Sequence, residues 1–201
     1  MLAWFAANWT EVLGFATGLA CVALAARRNV ATFPIGIANN LVFLALFTEH
    51  ALYADAGLQV VYLALGVAGW IGWVRGRRES AFVRGAPRRA VPWLVLAFGT
   101  ITAVLWLVLH RFTDSTTELT DAATTAGSLV AQYMLNRRWL ENWIVWISVD
   151  VVFVGLFAVK GLWITAALYL VFIALCVGGH RSWARERAMR TLAPGSVEAA
   201  V

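Results

Sequence analysis

Residues 141–159 read ENWIVWISVDVVFVGLFAV. The run is apolar from Trp143 onward, interrupted by Ser148 and Asp150, and approaches the ~20 residues that carry a helix across a bilayer. Trp143, Trp146 and Asp150 are spaced i, i+3, i+7, which places them on one face of a helix. A carboxylate inside a span is costly, so it faces a bundle interior or a cavity. Two indoles beside an acid make a box for a flat, positively charged ring. A plainer reading is an interfacial tryptophan belt or helix packing, with Asp150 paired to a neighbouring helix.

The whole chain agrees with a membrane setting. Of 201 residues, 61% are hydrophobic and 13% charged, against about half apolar and about a quarter charged in a soluble domain. The net charge is +5. The arginines lie in short clusters between apolar runs, which is a topology signal and not a phosphate-binding face. No nucleic-acid partner is expected. Cys21 and Cys176 each lie inside an apolar run without CxxC spacing and read as small core residues. The opening MLAWFAANWTEV lacks a basic n-region and is not read as a signal peptide.

Seven apolar segments can be drawn, at 8–26, 32–48, 51–74, 92–110, 117–136, 142–158 and 161–180. No segment alternates, so the expected class is all-α integral membrane protein and not barrel. Arg27 and Arg28, the run from Arg75 to Arg89, Arg137 and Arg138, and Arg181 to Arg190 then fall on one side, with Arg111 and Lys160 on the other. Positive loops stay cytoplasmic, so the N-terminus is expected outside and the C-terminus inside. The Arg-rich stretch 75–90, with Gly76, Gly85 and Pro87, reads as a linker, and residues 191–201 as a disordered tail.

The chain also repeats at an offset of 110 residues, without a gap. Thr10-Glu11 aligns with Thr120-Asp121, Arg27-Arg28 with Arg137-Arg138, and Gly69, Trp73, Arg75 and Arg77 with Gly179, Trp183, Arg185 and Arg187. Apolar matches, such as Leu46-Phe47 with Leu156-Phe157 or Leu52 with Leu162, carry less weight. Residues 8–74 and 117–187 are thus two three-helix repeats, joined by a linker helix at 91–110. One extra crossing gives both repeats the same orientation, a 3+1+3 design of parallel repeats. Transporters built this way hold substrate near mid-membrane between the halves.

Under the repeat Asp150 corresponds to Asn40, Trp143 to Phe33 and Trp146 to Gly36. One half offers two rings and an acid; the other offers a ring, a gap and an amide. Pro34 is either a tolerated first-turn proline or a loosening of its helix. Asp121, Thr124, Ser128 and Gln132 form a polar stripe that is expected to face protein or water. Their counterparts include Glu11, Gly14 and Gly18, where the glycines permit close helix approach. Asp55, Gln59 and Tyr62 correspond to Thr165, Tyr169 and Phe172. Gln59 and Gln132 are read as hydrogen-bonding pocket groups, Glu11 and Asp121 as capping or gating groups. Glu141 reads as an ion pair with Arg137 and Arg138 or as a helix N-terminal charge. His50, His110 and His180 form no ligand set, and no GxxxxGK[ST], GxSxG or HExxH occurs. No metal or cofactor is expected, nor an enzyme.

These residues resemble a known family. WxxWxxxD at Trp143–Asp150, preceded by Glu141, is similar to the WxxWxxxN/D signature of Pnu-type vitamin transporters, nearest to their PnuC branch, which carries nicotinamide riboside. Pro34-x-Gly36, the run Leu52-Tyr53-x-Asp55-x3-Gln59-x2-Tyr62 and Leu168-Tyr169-x2-Phe172 support it, over residues 8–187. The resemblance implies a SWEET-like fold, a homotrimer in the bacterial cell membrane, and facilitated uptake with trapping by intracellular phosphorylation. It carries the aromatic box and its terminal Asn/Asp onto Trp143, Trp146 and Asp150; the usual PnuC form has Asn where this chain has Asp150.

The expected cargo is a small-molecule vitamin: nicotinamide riboside first, as a pyridinium cation, then thiamine as a thiazolium, then neutral riboflavin. Trp143 and Trp146 are expected to clamp the ring, and Asp150 and Asn40 to hold ribose hydroxyls or offset charge. Gln59 and Gln132 add hydrogen bonds, and Phe33, Tyr62 and Tyr169 complete the candidate substrate-binding set. The readings from another class are a non-transporting membrane assembly protein and an intramembrane enzyme using Asp150; proton coupling through Asp150 or Asp121 also stays open.

Overall fold

The computed structural model describes residues 2–49, 53–75, 82–112, 117–159, 161 and 163–192. Seven α-helices occur among them: α1 (Leu2–Ala26), α2 (Thr32–Glu49), α3 (Tyr53–Arg75), α4 (Val91–Phe112), α5 (Glu118–Asn136), α6 (Asn142–Val159) and α7 (Trp163–Leu192). A short 3-10 turn, Arg88–Ala90, leads into α4. Among the described residues, four helical stretches are long and apolar enough to cross a membrane: Ala56–Arg75, Arg88–Phe112, Asn142–Val159 and Thr165–Met189. Ala16–Ala26 and Thr32–Ala45 are shorter apolar helical stretches. The expected Leu52 and Leu162 matches, His50, Lys160, Gly76, Arg77, Arg78 and the tail from 193 lie outside the described residues, as do the side chains of Glu11 and Asp55.

The chain divides into two compact units, Met1–Ala81 and Phe82–Val201. In the first, α1 packs on α2 and α2 on α3; in the second, α4 packs on α5, α5 on α6 and α6 on α7. The linker helix α4 therefore groups with the second repeat. It has no buried residue, and Trp93 is 71% exposed. A helix with so much apolar surface in the open suits contact with lipid tails.

The two repeats close their first turn in the same way. Arg28 and Arg138 both have φ 55. The N–H of Arg28 donates to Ala25 O at 2.9 Å and that of Asn29 to Leu24 O at 2.8 Å; Arg138 donates to Leu135 O at 2.9 Å and Trp139 to Met134 O at 3.0 Å. This left-handed ending satisfies the last carbonyls of α1 and α5. The next helix then starts at once, with Thr32 N–H on Asn29 O and Asn142 N–H on Trp139 O, both 3.1 Å.

Close helix approach occurs at Gly14, one of the two glycines of α1 expected to allow it, and also at Gly127, which the sequence did not mark. A Cβ on Gly14 would lie 2.5 Å from the Phe43 ring of α2. In the second unit a Cβ on Gly127 of α5 would meet Val149 Cγ2 of α6 at 2.7 Å. Pro34 lies in the first turn of α2, where its missing N–H costs little.

Two boundaries differ from the sequence reading. α1 begins at Leu2, and α7 runs to Leu192, past the expected end at 180. Hydropathy falls there, but RSWARERAMR is rich in helix-forming Ala, Arg and Glu. Trp183 and Glu186 are buried on this extension. The linker is also less free than expected: Arg84 forms a parallel bridge with Trp139 in the α5–α6 turn.

Candidate substrate site

α6 carries the acid. Asp150 is 6% exposed, and the Cys176 thiol of α7 points at its Oδ2 from 3.9 Å, a weak donor at long range. Cys176 itself is buried. Phe153 and Phe157 follow on the same face of α6. Tyr169 lies against both, at centroid distances of 4.9 and 5.4 Å, and Phe172 adds a fourth ring 5.8 Å from Tyr169. The acid thus stands beside a continuous aromatic cluster that spans α6 and α7.

The two indoles of the motif have different surroundings. Trp143 is 2% exposed and meets Trp183 of α7 edge-on, with centroids 5.3 Å apart and planes at 85°. Its ring edge lies over Gly179, where a Cβ would be 2.7 Å from ring atoms. Packing on α7 therefore surrounds this ring on more than one side. Trp146 is partly buried, one helical turn from Asp150. The structure gathers Asp150, Tyr169, Phe153, Phe157 and Cys176, while Trp143 belongs to the α6–α7 contact.

The polar stripe of α5 faces protein at Thr124 and Ser128, both buried. Their hydroxyls return to their own helix, Thr124 to Thr120 O at 2.8 Å and Ser128 to Thr124 O at 2.9 Å. Asp121 accepts from the Thr117 hydroxyl at 2.9 Å at the helix start, a bond between two side chains that leaves the backbone N–H groups there without a cap from Thr117. Gln132 is partly buried and donates to Asn136 Oδ1 at 3.1 Å.

In the first unit, Phe33 is buried and meets Trp73 edge-on, with centroids 5.2 Å apart and planes at 75°. This reproduces the Trp143–Trp183 pair at the repeat offset. Asn40, Gln59 and Tyr62 are each partly buried. Thr32 donates to Cys21 O at 2.9 Å, tying α2 to α1.

Sequence reading missed Cys176 as the partner of Asp150, although Phe153 and Phe157 were findable from their i+3 and i+7 spacing. It also missed the partner of Glu141, which accepts the Ala86 N–H at 2.7 Å. His110 pairs with Glu118 Oε2 at 3.0 Å, away from this cluster. No group of metal-ligating side chains occurs among the described residues.

An all-helical chain that repeats its turns and ring pairs, and that buries an acid beside aromatic rings within a membrane-length helix, has the design of a membrane transporter. The family model described as nicotinamide mononucleotide transporter matches residues 8–185, and the chain belongs to that family. It is a family of transporters and not of enzymes.

The chain is 28% identical to the nicotinamide riboside transporter PnuC of Escherichia coli, over 92% of this chain and 90% of that one. It is 31% identical to the riboflavin/roseoflavin transporter RibM of Streptomyces davaonensis, over 87% and 84%. Among solved structures it resembles a crystal structure of the vitamin B3 transporter PnuC, with a TM-score of 0.69 and 21% identity, over 92% of this chain and 85% of that one.

Proposed function

We propose that this chain carries nicotinamide riboside across the membrane by facilitated diffusion. The observation that carries the reading is Asp150. Its carboxylate lies inside a membrane-length helix, buried, with a thiol as its hydrogen-bonding partner among the described residues. Such an acid attracts a cation, and a pyridinium ring brings one together with a face for aromatic stacking. Trp146 and Tyr169 supply rings near the acid, with Gln132 as a hydrogen-bonding group and Trp143 as a packed ring; in the first unit the candidate groups are Asn40, Gln59, Tyr62 and Phe33. Thiamine, also cationic, ranks next. Riboflavin is the second reading, favoured by the 31% identity to RibM; its neutral ring system makes less use of the carboxylate.

The remaining parts of the reading follow from sequence. Seven crossings in a 3+1+3 order, with like-oriented repeats, put the arginine clusters on one face. That face is cytoplasmic by the positive-inside rule, with the N-terminus outside, in a bacterial inner membrane. A homotrimer is what the family resemblance implies. Phosphorylation inside the cell would trap the vitamin, with no ATP consumed by the carrier.

Calorimetric titration of the purified protein with each vitamin tests the cargo. Nicotinamide riboside is expected to bind, Trp146→Ala to weaken it by about 1–2 kcal/mol, and Asp150→Asn to weaken both cations more than riboflavin. Heat from riboflavin alone overturns the first choice. Unchanged affinity in both variants moves the pocket elsewhere.

A further inference from the structure

The segment before α4 is moored to the start of the helix that bears Asp150. Arg84 N–H donates to Arg138 O at 3.0 Å, and Leu140 N–H donates back to Arg84 O at 2.8 Å. Ala86 N–H donates to Glu141 Oε2 at 2.7 Å. Just before these bonds Val83 is buried, and between them Gly85 sits against the Arg187 guanidinium, whose nitrogens would be 3.0 Å from a Cβ there. The segment therefore touches the α5–α6 turn and α7 together.

The first repeat has the same turn without a carboxylate in this place. The hydrogen bonds that end its first helix match, yet residue 31, the counterpart of Glu141, is alanine. The Ala31 N–H is taken locally by Asn29 Oδ1 at 2.9 Å. In the half with the acid, the Glu141 side chain ties the start of the following helix to a segment 55 residues away. Glu141 directly precedes α6, and its charge also favours that helix N-terminus.

We propose that Glu141 is a positioning residue for transport. By holding the Ala86 N–H it fixes α6 against the 82–87 segment and α7, and so keeps Trp146 and Asp150 in register while access changes. The step is carried by a charge-assisted hydrogen bond, not by contact with cargo. It rests on the transport reading above, but the tie itself can be measured without any vitamin.

In proteoliposomes holding the full chain, Glu141→Ala is expected to lower the maximal rate of labelled nicotinamide riboside uptake about tenfold, the loss of one hydrogen bond to a charged group. The half-saturating concentration should stay within about twofold. Glu141→Gln retains an acceptor oxygen without the charge and is expected to bring the rate back to within about threefold of wild type. Ala86→Pro deletes the donor and should match Glu141→Ala, and the double variant should be no slower than either. Hydrogen exchange on the vitamin-free protein should quicken about tenfold in the 82–90 peptide of Glu141→Ala. A Gln variant as slow as the Ala variant, additive losses in the double variant, or unchanged exchange each overturns the proposal. Should wild-type protein ignore nicotinamide riboside, the cargo reading falls; the exchange result and the same rates with the vitamin that is taken up still decide the role of Glu141.

Discussion

Gly179 decides what Trp143 does. The indole lies flush on the glycine and edge-on to Trp183, with both rings buried. A methyl group at 179 has nowhere to go, because the indole is rigid and enclosed. Gly179→Ala is expected to lower stability by about 1–3 kcal/mol, the usual range for overpacking, read as a fall in melting temperature in detergent. Gly85→Ala makes the control: its Cβ meets the far end of the flexible Arg187 side chain, so the shift there should be smaller. Equal melting of the two variants would mean that the Trp143 ring gives way freely. The sequence spacing placed Trp143, Trp146 and Asp150 on one helix face, and that much was legible. It did not reveal that α7 presents a glycine and an indole to the first ring and a thiol to the acid. Those partners come from a helix distant in sequence, and spacing within α6 says nothing of them.

The element scale explains why the double arginines align across the repeat. Arg28 and Arg138 occupy the left-handed position that ends α1 and α5, a place usually held by glycine. Comparing two variants that both lack the arginine side chain isolates the backbone demand. Arg138→Val is expected to be about 1–2 kcal/mol less stable than Arg138→Gly, because a β-branched residue resists positive φ; chemical or thermal unfolding of the pair measures it. No difference would show that the turn relaxes out of the left-handed region. The repeat offset was readable because it preserves such turns as well as composition. The end of α7 was not, since a hydropathy criterion stops where the helix leaves apolar sequence, while Ala, Arg and Glu let it continue. The linker reads as free for a related reason: the Ala86 to Glu141 bond joins a backbone N–H to a remote carboxylate, and no local pattern announces that.

For the whole molecule the number of crossings turns most on α5, because α1 and α2 at least contain shorter apolar stretches and α5 contains none among the described residues. The four helical stretches that meet the length and hydropathy criterion do not include it; it carries Glu118, Asp121, Thr124, Ser128 and Gln132. Yet its inner hydroxyls are bonded to their own helix carbonyls, and Thr124 and Ser128 face protein. Bonded in this way, the stripe does not present unsatisfied groups to lipid, so α5 can cross. If it crosses, the end of α4 and the polar end of α7 lie on opposite sides of the membrane; if it does not, they share a side. In a background with Cys21 and Cys176 replaced by Ser, Arg111→Cys is expected to react with a membrane-impermeant maleimide in intact cells. Ser182→Cys is expected to react only after permeabilisation. Labelling of Ser182→Cys from outside, together with Arg111→Cys, would remove α5 from the count. It would also return the Arg181–Arg187 cluster to the outer face, against the charge rule that orients the rest of the chain.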